Sequence, residues 1–236
     1  MHPYSVFIDY MHILSKNVGM NYFEQLDFYC ERLMPGFWAE PANAVSNPGF
    51  IFAAFFGFYC WKSSKSNWMF FLSFLALLVG IGSFLFHTYA TRWAHLADLL
   101  PIALFMSSFL VFVQKRLLHF SNLKTFLVMC IFITAAVLIE LYQPRHILGG
   151  SLGYTHAVIA LSMVAYIFRK RRHPYSKYFS AGLQVFLLSL VFRTLDGYLC
   201  EINPFGSHFI WHLTNAALIF ILLIPVDLSS RVQNES

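Results

Sequence analysis

Apolar residues fill most of this chain in seven long runs separated by short polar segments. The chain is broken at Asn47-Pro48-Gly49, and the first run opens from Phe50 to Trp61. Each later run approaches the roughly 20 residues that a helix needs to cross a bilayer. These runs cover residues 68–88, 97–114, 124–142, 151–168, 178–198 and 208–227. They are too evenly apolar for barrel strands, in which polarity alternates. The pattern predicts an all-α fold, an integral membrane bundle of seven transmembrane helices.

Residues 1–44 differ from the rest, because they are mixed in polarity and rich in aromatic side chains. A weak helical stripe of Phe7, Met11 and Leu14 can lie in the headgroup region, although a loosely packed arm suits the same residues. No repeat or low-complexity segment divides the remaining chain. We expect a single domain, with residues 1–44 as an extramembrane arm and residues 45–236 as the seven-helix transmembrane part.

Composition supports the membrane assignment. The chain is 58% hydrophobic and 11% charged, whereas an average soluble domain has about 25% charged residues. The formal net charge of +5 does not indicate nucleic acid, because the basic residues are gathered in short loops and form no extended basic face.

The same basic residues predict the orientation, because cytoplasmic loops of membrane proteins are enriched in Lys and Arg. The N-terminal arm and the outer loops hold four of them: Lys16, Arg32, Arg92 and Arg145. Eleven lie in the loops after helices 1, 3 and 5 and in the C-terminal tail: Lys62, Lys65, Lys115, Arg116, Lys124, Arg169, Lys170, Arg171, Arg172, Lys177 and Arg231. We therefore expect the N-terminus outside and the C-terminus in the cytoplasm.

Five polar residues lie at the ends of these runs, and the predicted orientation collects them in the outer half of the membrane. Ser83 and His87 are four residues apart near the end of the second run, so they share one helix face. Asp98 lies near the start of the third run, and His208 and His212 repeat the same spacing at the start of the last. Polar groups within membrane segments are costly and usually functional.

Three imidazoles are a standard ligand set for catalytic zinc, which keeps a fourth position for water. His87, His208 and His212 supply that set if their helices are neighbours. Asp98 could be a fourth ligand or the general base beside a metal-bound water, and Ser83 could hydrogen-bond the water or an oxyanion. The same residues also suit a polar network that holds helices together without a metal. Both interpretations are open on spacing alone.

This spacing resembles that of the alkaline ceramidases, a family of seven-helix membrane hydrolases grouped with adiponectin-receptor-like proteins. The resemblance rests first on Ser83, His87 and Asp98, with His208 and His212 in the last helix. It extends to the N-terminal arm and the sixth helix, at Tyr29-Cys30-Glu31, Phe37-Trp38-Ala39-Glu40, Asn43-x2-Ser46-Asn47, Asp196 and Cys200-Glu201. It therefore covers most of the chain.

The resemblance implies an enzyme, a zinc amidohydrolase that cleaves the amide bond of ceramide into a sphingoid base and a fatty acid. It implies zinc bound by His87, His208 and His212, with Ser83 and Asp98 as catalytic residues. The implied partners are a membrane lipid substrate and the bilayer itself, and the sequence indicates no protein partner. A bacterial inner membrane and an internal eukaryotic membrane both suit such a protein.

The resemblance also implies calcium in the N-terminal arm, where Asp27, Glu31 and Glu40 offer the hard oxygen ligands that calcium prefers. The chain departs from the family's pattern here. Asp27 stands three residues before Cys30 rather than two, and Arg32 follows Glu31 where the family has no cation. The alternative is a solvated acidic loop in which Arg32 pairs with a neighbour.

Two of the four cysteines gain a role from the same resemblance. Cys30 and Cys200 fall on the predicted outer side, which permits disulfides, and the resemblance implies a bridge between them. Cys60 and Cys130 lie within helices 1 and 4, where a thiol packs as a small apolar group.

Two other functions share this kind of bundle. One is a lipid hydrolase with a different substrate, such as an acyl ester, a phospholipid or a GPI anchor, because metal chemistry alone does not select ceramide. The other is a receptor-like protein with little or no hydrolysis. A retinal protein is disfavoured because residues 208–227 contain no lysine for a Schiff base.

Overall fold

The computed structural model describes residues 21–143 and 147–235. Within these ranges the regular secondary structure is helical, apart from one β-bridge between Gln25 and Thr91. Seven spans are long and apolar enough to cross a membrane, which confirms the predicted all-α, seven-helix fold. A short helix α1 (Pro41–Ser46) leads into the membrane helices α2 (Pro48–Ser64), α3 (Asn67–Tyr89), α4 (Arg92–Phe112), α5 (Asn122–Tyr142), α6 (Thr155–Lys170), α7 (Ser176–Leu199) and α8 (His208–Glu235).

The helices lie on the predicted apolar runs, although α4 begins at Arg92 rather than at residue 97 and α8 ends at Glu235 rather than at residue 227. The fifth span differs in its local structure. The sequence predicts this helix from residue 151, but a 3-10 segment (Ile147–Tyr154) comes first and α6 begins at Thr155. Gly149 and Gly150 have φ values of 56° and 78°, which glycine adopts readily and which no helix contains. The predicted amphipathic stripe of Phe7, Met11 and Leu14 lies outside the described residues.

Tight connections make α2, α3 and α4 antiparallel neighbours. Ser66 caps α3 by accepting a hydrogen bond from the Met69 backbone N–H at 3.4 Å, as a serine at this position commonly does. Lys65 and Ala90 adopt left-handed backbone conformations directly after α2 and α3. Each turn therefore reverses the chain within a few residues, and the end of α3 lies beside the start of α4.

The core lies mainly between α2, α3 and α8. Buried side chains such as Phe50, Leu72, Val79 and Leu223 belong to one continuous apolar cluster. By contrast, Phe132 is the single buried residue of α5. That helix therefore lies at the edge of the bundle, with most of its apolar surface available to lipid.

The N-terminal arm closes one end of the bundle. Its backbone pairs with the turn between α3 and α4, where the Leu26 N–H donates to the Ala90 carbonyl at 2.6 Å. A disulfide joins Cys30 to Cys200 at the end of α7, so the bridge implied by the resemblance is present. The basic clusters after α2, α4 and α6 lie at the opposite helix ends. The bundle is thus polarised in the way that the basic residues predict, and its orientation in the membrane remains a prediction.

Two matched cysteine variants test that orientation. Pro204, before α8, and Pro174, between α6 and α7, are both exposed and lie at opposite ends of the bundle. In a background with Cys60 and Cys130 replaced by alanine, we expect a membrane-impermeant maleimide to label Pro204→Cys on intact cells. Pro174→Cys should react only after permeabilisation. The reverse pattern would overturn the assignment.

Candidate metal centre

Three histidines from two helices meet at the end of the bundle that the arm closes. His87 lies near the end of α3, and His208 and His212 lie at the start of α8. The ring centroids of His87 and His208 are 5.2 Å apart, and His212 is 4.6 Å from each. One nitrogen from each ring lies within 4.8 Å of the other two. Across residues 21–143 and 147–235, this is the group of His, Cys, Asp and Glu side chains arranged to hold a metal ion.

The imidazole of His87 is oriented by Glu40 from the arm. His87 Nδ1 lies 2.5 Å from Glu40 Oε2, and both side chains are at most 3% exposed. An ionised carboxylate only accepts hydrogen bonds, so Nδ1 carries the proton and donates it. Nε2 therefore keeps its lone pair, and it is buried with no hydrogen-bond partner among the described residues. A neutral imidazole with a free lone pair is the form that binds metals.

His212 is oriented in the same way by a hydroxyl group. Ser46 Oγ lies 2.7 Å from the Asn43 carbonyl oxygen and 2.7 Å from His212 Nδ1. The carbonyl only accepts, so the Ser46 hydroxyl donates to it and accepts from His212 Nδ1–H. The lone pair of His212 Nε2 then faces the other two imidazoles, with Ser83 Oγ at 3.4 Å.

His208 is fixed by stacking and by the cap of its own helix. Its ring stacks against Tyr29 and Trp211, with centroids 3.8 Å and 4.9 Å away. The Asp196 carboxylate accepts hydrogen bonds from the backbone N–H groups of Ser207 and His208 at 2.8 Å and 2.9 Å. A carboxylate at this place satisfies free N–H groups and the helix dipole at once. His208 Nδ1 is buried and has no partner in the part of the chain that the structure describes.

Asp196 also ties the arm to the centre. Its second oxygen accepts the Cys30 backbone N–H at 3.2 Å, next to the disulfide that joins Cys30 to Cys200. Gly206, in the loop before α8, has a left-handed φ of 60°, and a Cβ there would lie 2.8 Å from the Cys30 Cβ and against Asp196 Oδ1. The loop, the arm and the helix start therefore pack without room for a larger residue.

Ser83 and Asp98 lie next to the three imidazoles, and both are at most 5% exposed. Asp98 interacts with the Ser83 hydroxyl and with the His87 ring, and its Oδ1 is buried without a partner among the described residues. Gly82 allows this arrangement, because a Cβ there would meet the Ala97 carbonyl oxygen and lie 3.1 Å from the Asp98 nitrogen. The first turn of α4 thus packs directly on the backbone of α3, as small residues permit in membrane bundles.

The centre fits a metal ion on three observations of its own. The lone pairs of His87 Nε2 and His212 Nε2 face the cluster, His208 has a buried nitrogen with no described partner, and the imidazoles lie close together in a dry site. Three imidazoles suit zinc and other first-row transition metals. A helix-packing network would leave these nitrogens paired with each other, so the arrangement favours the metal interpretation.

The carboxylates predicted as calcium ligands have other partners. The two oxygens of Glu31 accept the backbone N–H groups of Ala42 and Asn43, at 2.6 Å and 2.9 Å, and so cap α1. Burial raises the pKa of Glu31, although these two hydrogen bonds act against the rise. Asp27 is exposed, and the three acidic residues do not form a ligand group among the described residues.

Glu40 is paired with Arg32 as well as with His87. Arg32 Nε donates to Glu40 Oε1 at 2.6 Å, and the two side chains are 4% and 3% exposed. Burial raises the pKa of Glu40, but hydrogen bonds and charges from His87 and Arg32 outweigh it, so the pKa is lowered. The alternative prediction was a solvated loop in which Arg32 pairs with a neighbour. Arg32 does pair with Glu40, but the pair is buried rather than solvated. Calcium takes six to eight oxygen ligands, and this arrangement does not fit it.

Arg193 of α7 orients the aromatic residues around the centre. Its guanidinium lies over the rings of Tyr29, Tyr154 and Trp211, at 6.0 Å, 5.5 Å and 5.1 Å from their centroids. Two of these rings stack on His208. Sequence reasoning missed Trp211 as a site residue, because aromatic residues make up 19% of the chain and carry no distinguishing signal. Ser46 belongs to a motif of the N-terminal arm, but no sequence pattern indicates its hydrogen bond with His212.

An apolar cavity adjoins the centre. Phe50 and Trp211 line it and also contact His212. The cavity then follows one face of α8 through Asn215, Leu218 and Leu222. Trp211 and Leu222 are eleven positions apart, which corresponds to about 16 Å of helix. The shape suits a long hydrocarbon chain whose polar end lies at the imidazoles.

The fold and site together define a seven-helix membrane protein with a buried three-histidine centre and an adjoining apolar cavity. A family model described as Ceramidase matches residues 26–236. Because the match covers nearly the whole chain, the protein belongs to the ceramidase family. A comparison with curated proteins gave no match.

Gly82→Ala tests whether the close approach of α3 and α4 positions the centre. The added Cβ would meet the Ala97 carbonyl, so α4 must shift and move Asp98. We expect a stability loss of about 1–3 kcal/mol, typical of overpacking, measured as thermal unfolding in detergent, together with weaker metal retention or activity. Gly197→Ala on α7 is the control, because a Cβ there has open space. Equal behaviour of the two variants would contradict the assigned role.

Proposed function

We propose that the protein hydrolyses the amide bond of ceramide, using zinc bound by His87, His208 and His212, and releases a sphingoid base and a fatty acid. One observation carries this proposal: three buried imidazoles converge, and the hydrogen bonds behind two of them leave their metal-binding nitrogens free. Membership of the ceramidase family supports the reaction. The cavity beside the centre supports a lipid substrate.

The site's own residues have distinct roles in this reaction. Zinc bound by three imidazoles supplies Lewis acidity and makes hydroxide available near neutral pH. We assign Asp98 Oδ1, which has no partner among the described residues, the role of taking a proton from the attacking water. It returns that proton to the amide nitrogen when the C–N bond breaks. We assign the Ser83 hydroxyl the role of donating a hydrogen bond to the oxygen of the tetrahedral intermediate.

The surroundings keep this chemistry away from bulk water. Ser83 and the three histidines are each at most 1% exposed, and the aromatic rings of Tyr29 and Trp211 cover His208. In such a site, hydrogen bonds and charges act more strongly than in water. We place the hydrocarbon part of the substrate in the cavity along α8 and its amide at the imidazoles. Calcium is not part of the proposed mechanism, because the oxygens of Glu31 and Glu40 already have hydrogen-bond partners.

The proposal is tested first with the purified wild-type protein. We expect elemental analysis to find about one zinc per chain. The protein should release fatty acid from a short-chain ceramide faster than from a matched acyl ester or phospholipid. Faster release from the ester or the phospholipid would assign a different lipid hydrolase. Absence of all three activities in zinc-loaded protein would favour a receptor-like function.

Variants of the same protein separate metal binding from proton transfer. His208→Ala should lose zinc and activity together. Asp98→Asn should keep zinc but lose activity by roughly 100- to 10,000-fold, the usual contribution of a general acid or base. His156→Ala is the control, because His156 lies against Phe132 in the bundle and outside the histidine cluster. Full activity in Asp98→Asn would contradict the assigned role.

The cavity predicts a chain-length preference that can be changed. Ala157 lines the cavity and is 8% exposed, so Ala157→Phe should fill part of it. We expect activity on long-chain ceramide to fall by at least tenfold while activity on a short-chain ceramide is largely kept. Ala103→Phe serves as the matched control, because Ala103 is exposed on α4 and does not line the cavity. An unchanged chain-length profile in Ala157→Phe would place the substrate elsewhere.

A further inference from the structure

A cation is built into the arm next to the metal centre. Arg32 is 6% exposed, and its Nε donates to Glu40 Oε1 at 2.6 Å. The terminal nitrogens Nη1 and Nη2 are buried and have no hydrogen-bond partner within residues 21–143 and 147–235. Among the described contacts, the pairing with Glu40 is therefore the interaction that fixes the guanidinium.

Glu40 connects this cation to a ligand of the centre. Its second oxygen, Oε2, lies 2.5 Å from His87 Nδ1 and also accepts a hydrogen bond from Asn43 Nδ2 at 3.2 Å. A continuous chain thus runs from guanidinium to carboxylate to imidazole. Carboxylates behind metal-ligating histidines hold the ring in place and raise its basicity, and their loss typically weakens metal binding by about 10- to 100-fold.

The carboxylate needs a positive partner to stay there. A buried charge without compensation costs several kcal/mol, and Glu40 is 2% exposed. Arg32 is that partner, because its Nε lies 2.6 Å from Glu40 Oε1 and the two side chains are 4% and 3% exposed. This contact holds the Glu40 carboxylate in place behind His87.

The two other predicted calcium ligands do not require an added cation either. Both oxygens of Glu31 accept backbone N–H groups, and Asp27 is exposed to solvent. Each of the three carboxylates is thus solvated, hydrogen-bonded or paired. The calcium implied by the family resemblance has no ligand group waiting for it among the described residues.

We propose that Arg32 permanently supplies the positive charge that calcium supplies in the family's N-terminal segment, so the centre of this protein assembles and works without calcium. Arg32 and Glu40 are positioning residues: Arg32 holds Glu40, and Glu40 holds His87. The inference rests on the proposed function only for the identity of the metal in the centre. The statement that the N-terminal arm binds no calcium does not depend on that function.

The first test uses full-length wild-type protein in detergent and calcium itself as the probe. Elemental analysis should find no calcium after purification in calcium-free buffer. Addition of 1 mM calcium, on the order of the weakest protein calcium sites, should leave the unfolding temperature and ceramide hydrolysis unchanged. Co-purified calcium, or a rise in either quantity with calcium, would overturn the proposal. If wild-type protein contains no zinc and its unfolding temperature does not change with calcium, the proposed function is contradicted but this inference is not.

The second test measures zinc affinity by competition with a chromophoric chelator. Arg32→Ala should bind zinc about 10- to 100-fold more weakly, and Arg32→Lys, which keeps the charge, should recover most of that loss. The control is Arg92→Ala, which removes a similar pair with Glu24 whose side chains are 43% and 52% exposed. Zinc affinity in Arg32→Ala equal to that of the control would contradict the role of Arg32.

Should Arg32→Ala fail to fold, Glu40→Gln tests the same chain of contacts with a side chain of equal size. It removes the negative charge that both Arg32 and His87 contact. We expect a comparable loss of zinc affinity and a lower unfolding temperature, because the buried Arg32 loses its carboxylate partner. Unchanged zinc affinity in Glu40→Gln would show that His87 does not depend on this carboxylate.

Discussion

The structure depends on keeping imidazole lone pairs free inside a membrane protein. A buried nitrogen that lacks a partner is unfavourable, so such a nitrogen persists only where the rest of the ring is firmly held. Glu40 holds His87 and Ser46 holds His212, each through the nitrogen on the far side of the ring. Neither partner comes from the two helices that carry the histidines. The centre therefore needs the arm and α1 as much as it needs α3 and α8.

The same requirement explains why polar groups concentrate at one end of an otherwise apolar bundle. Asp196 satisfies the free N–H groups at the start of α8 and one N–H of the arm. Arg193 is accommodated by three aromatic faces rather than by a carboxylate at ion-pair distance among the described residues. Asp196 and Arg193 thus each fix neighbouring groups at this end of the bundle.

Much of this was predictable from the sequence, because membrane helices are constrained by length and polarity. The apolar runs predicted all seven helices, and the largest boundary differences are the early start of α4, the late end of α8 and the glycine pair before α6. The i, i+4 spacing of His208 and His212 placed both on one face of a helix. The distribution of basic residues assigns the end of α3 and the start of α8 to the same side of the membrane. His87 is therefore expected at the same membrane depth as His208 and His212.

What the sequence could not give are contacts that depend on how the irregular arm folds. Nothing periodic indicates that Ser46 meets His212 across 166 residues or that Glu40 reaches His87. Trp211 lies one position before His212 and could be taken for ordinary core. The acidic residues of the arm were interpreted as calcium ligands by resemblance, yet Arg32, which departs from the family's pattern, decides how Glu40 is paired.

The pairing of Ser46 with His212 and the disulfide that spans 170 residues have a consequence for biogenesis. The arm and α1 leave the ribosome first, whereas α8 leaves it last. During synthesis, His87 and Glu40 can meet early. The contacts of His208 with Tyr29 and of His212 with Ser46 form only after the final helix has inserted. A chain that stops before α8 therefore offers one imidazole in place of three. The group of three imidazoles is therefore complete only in molecules whose last helix has been inserted.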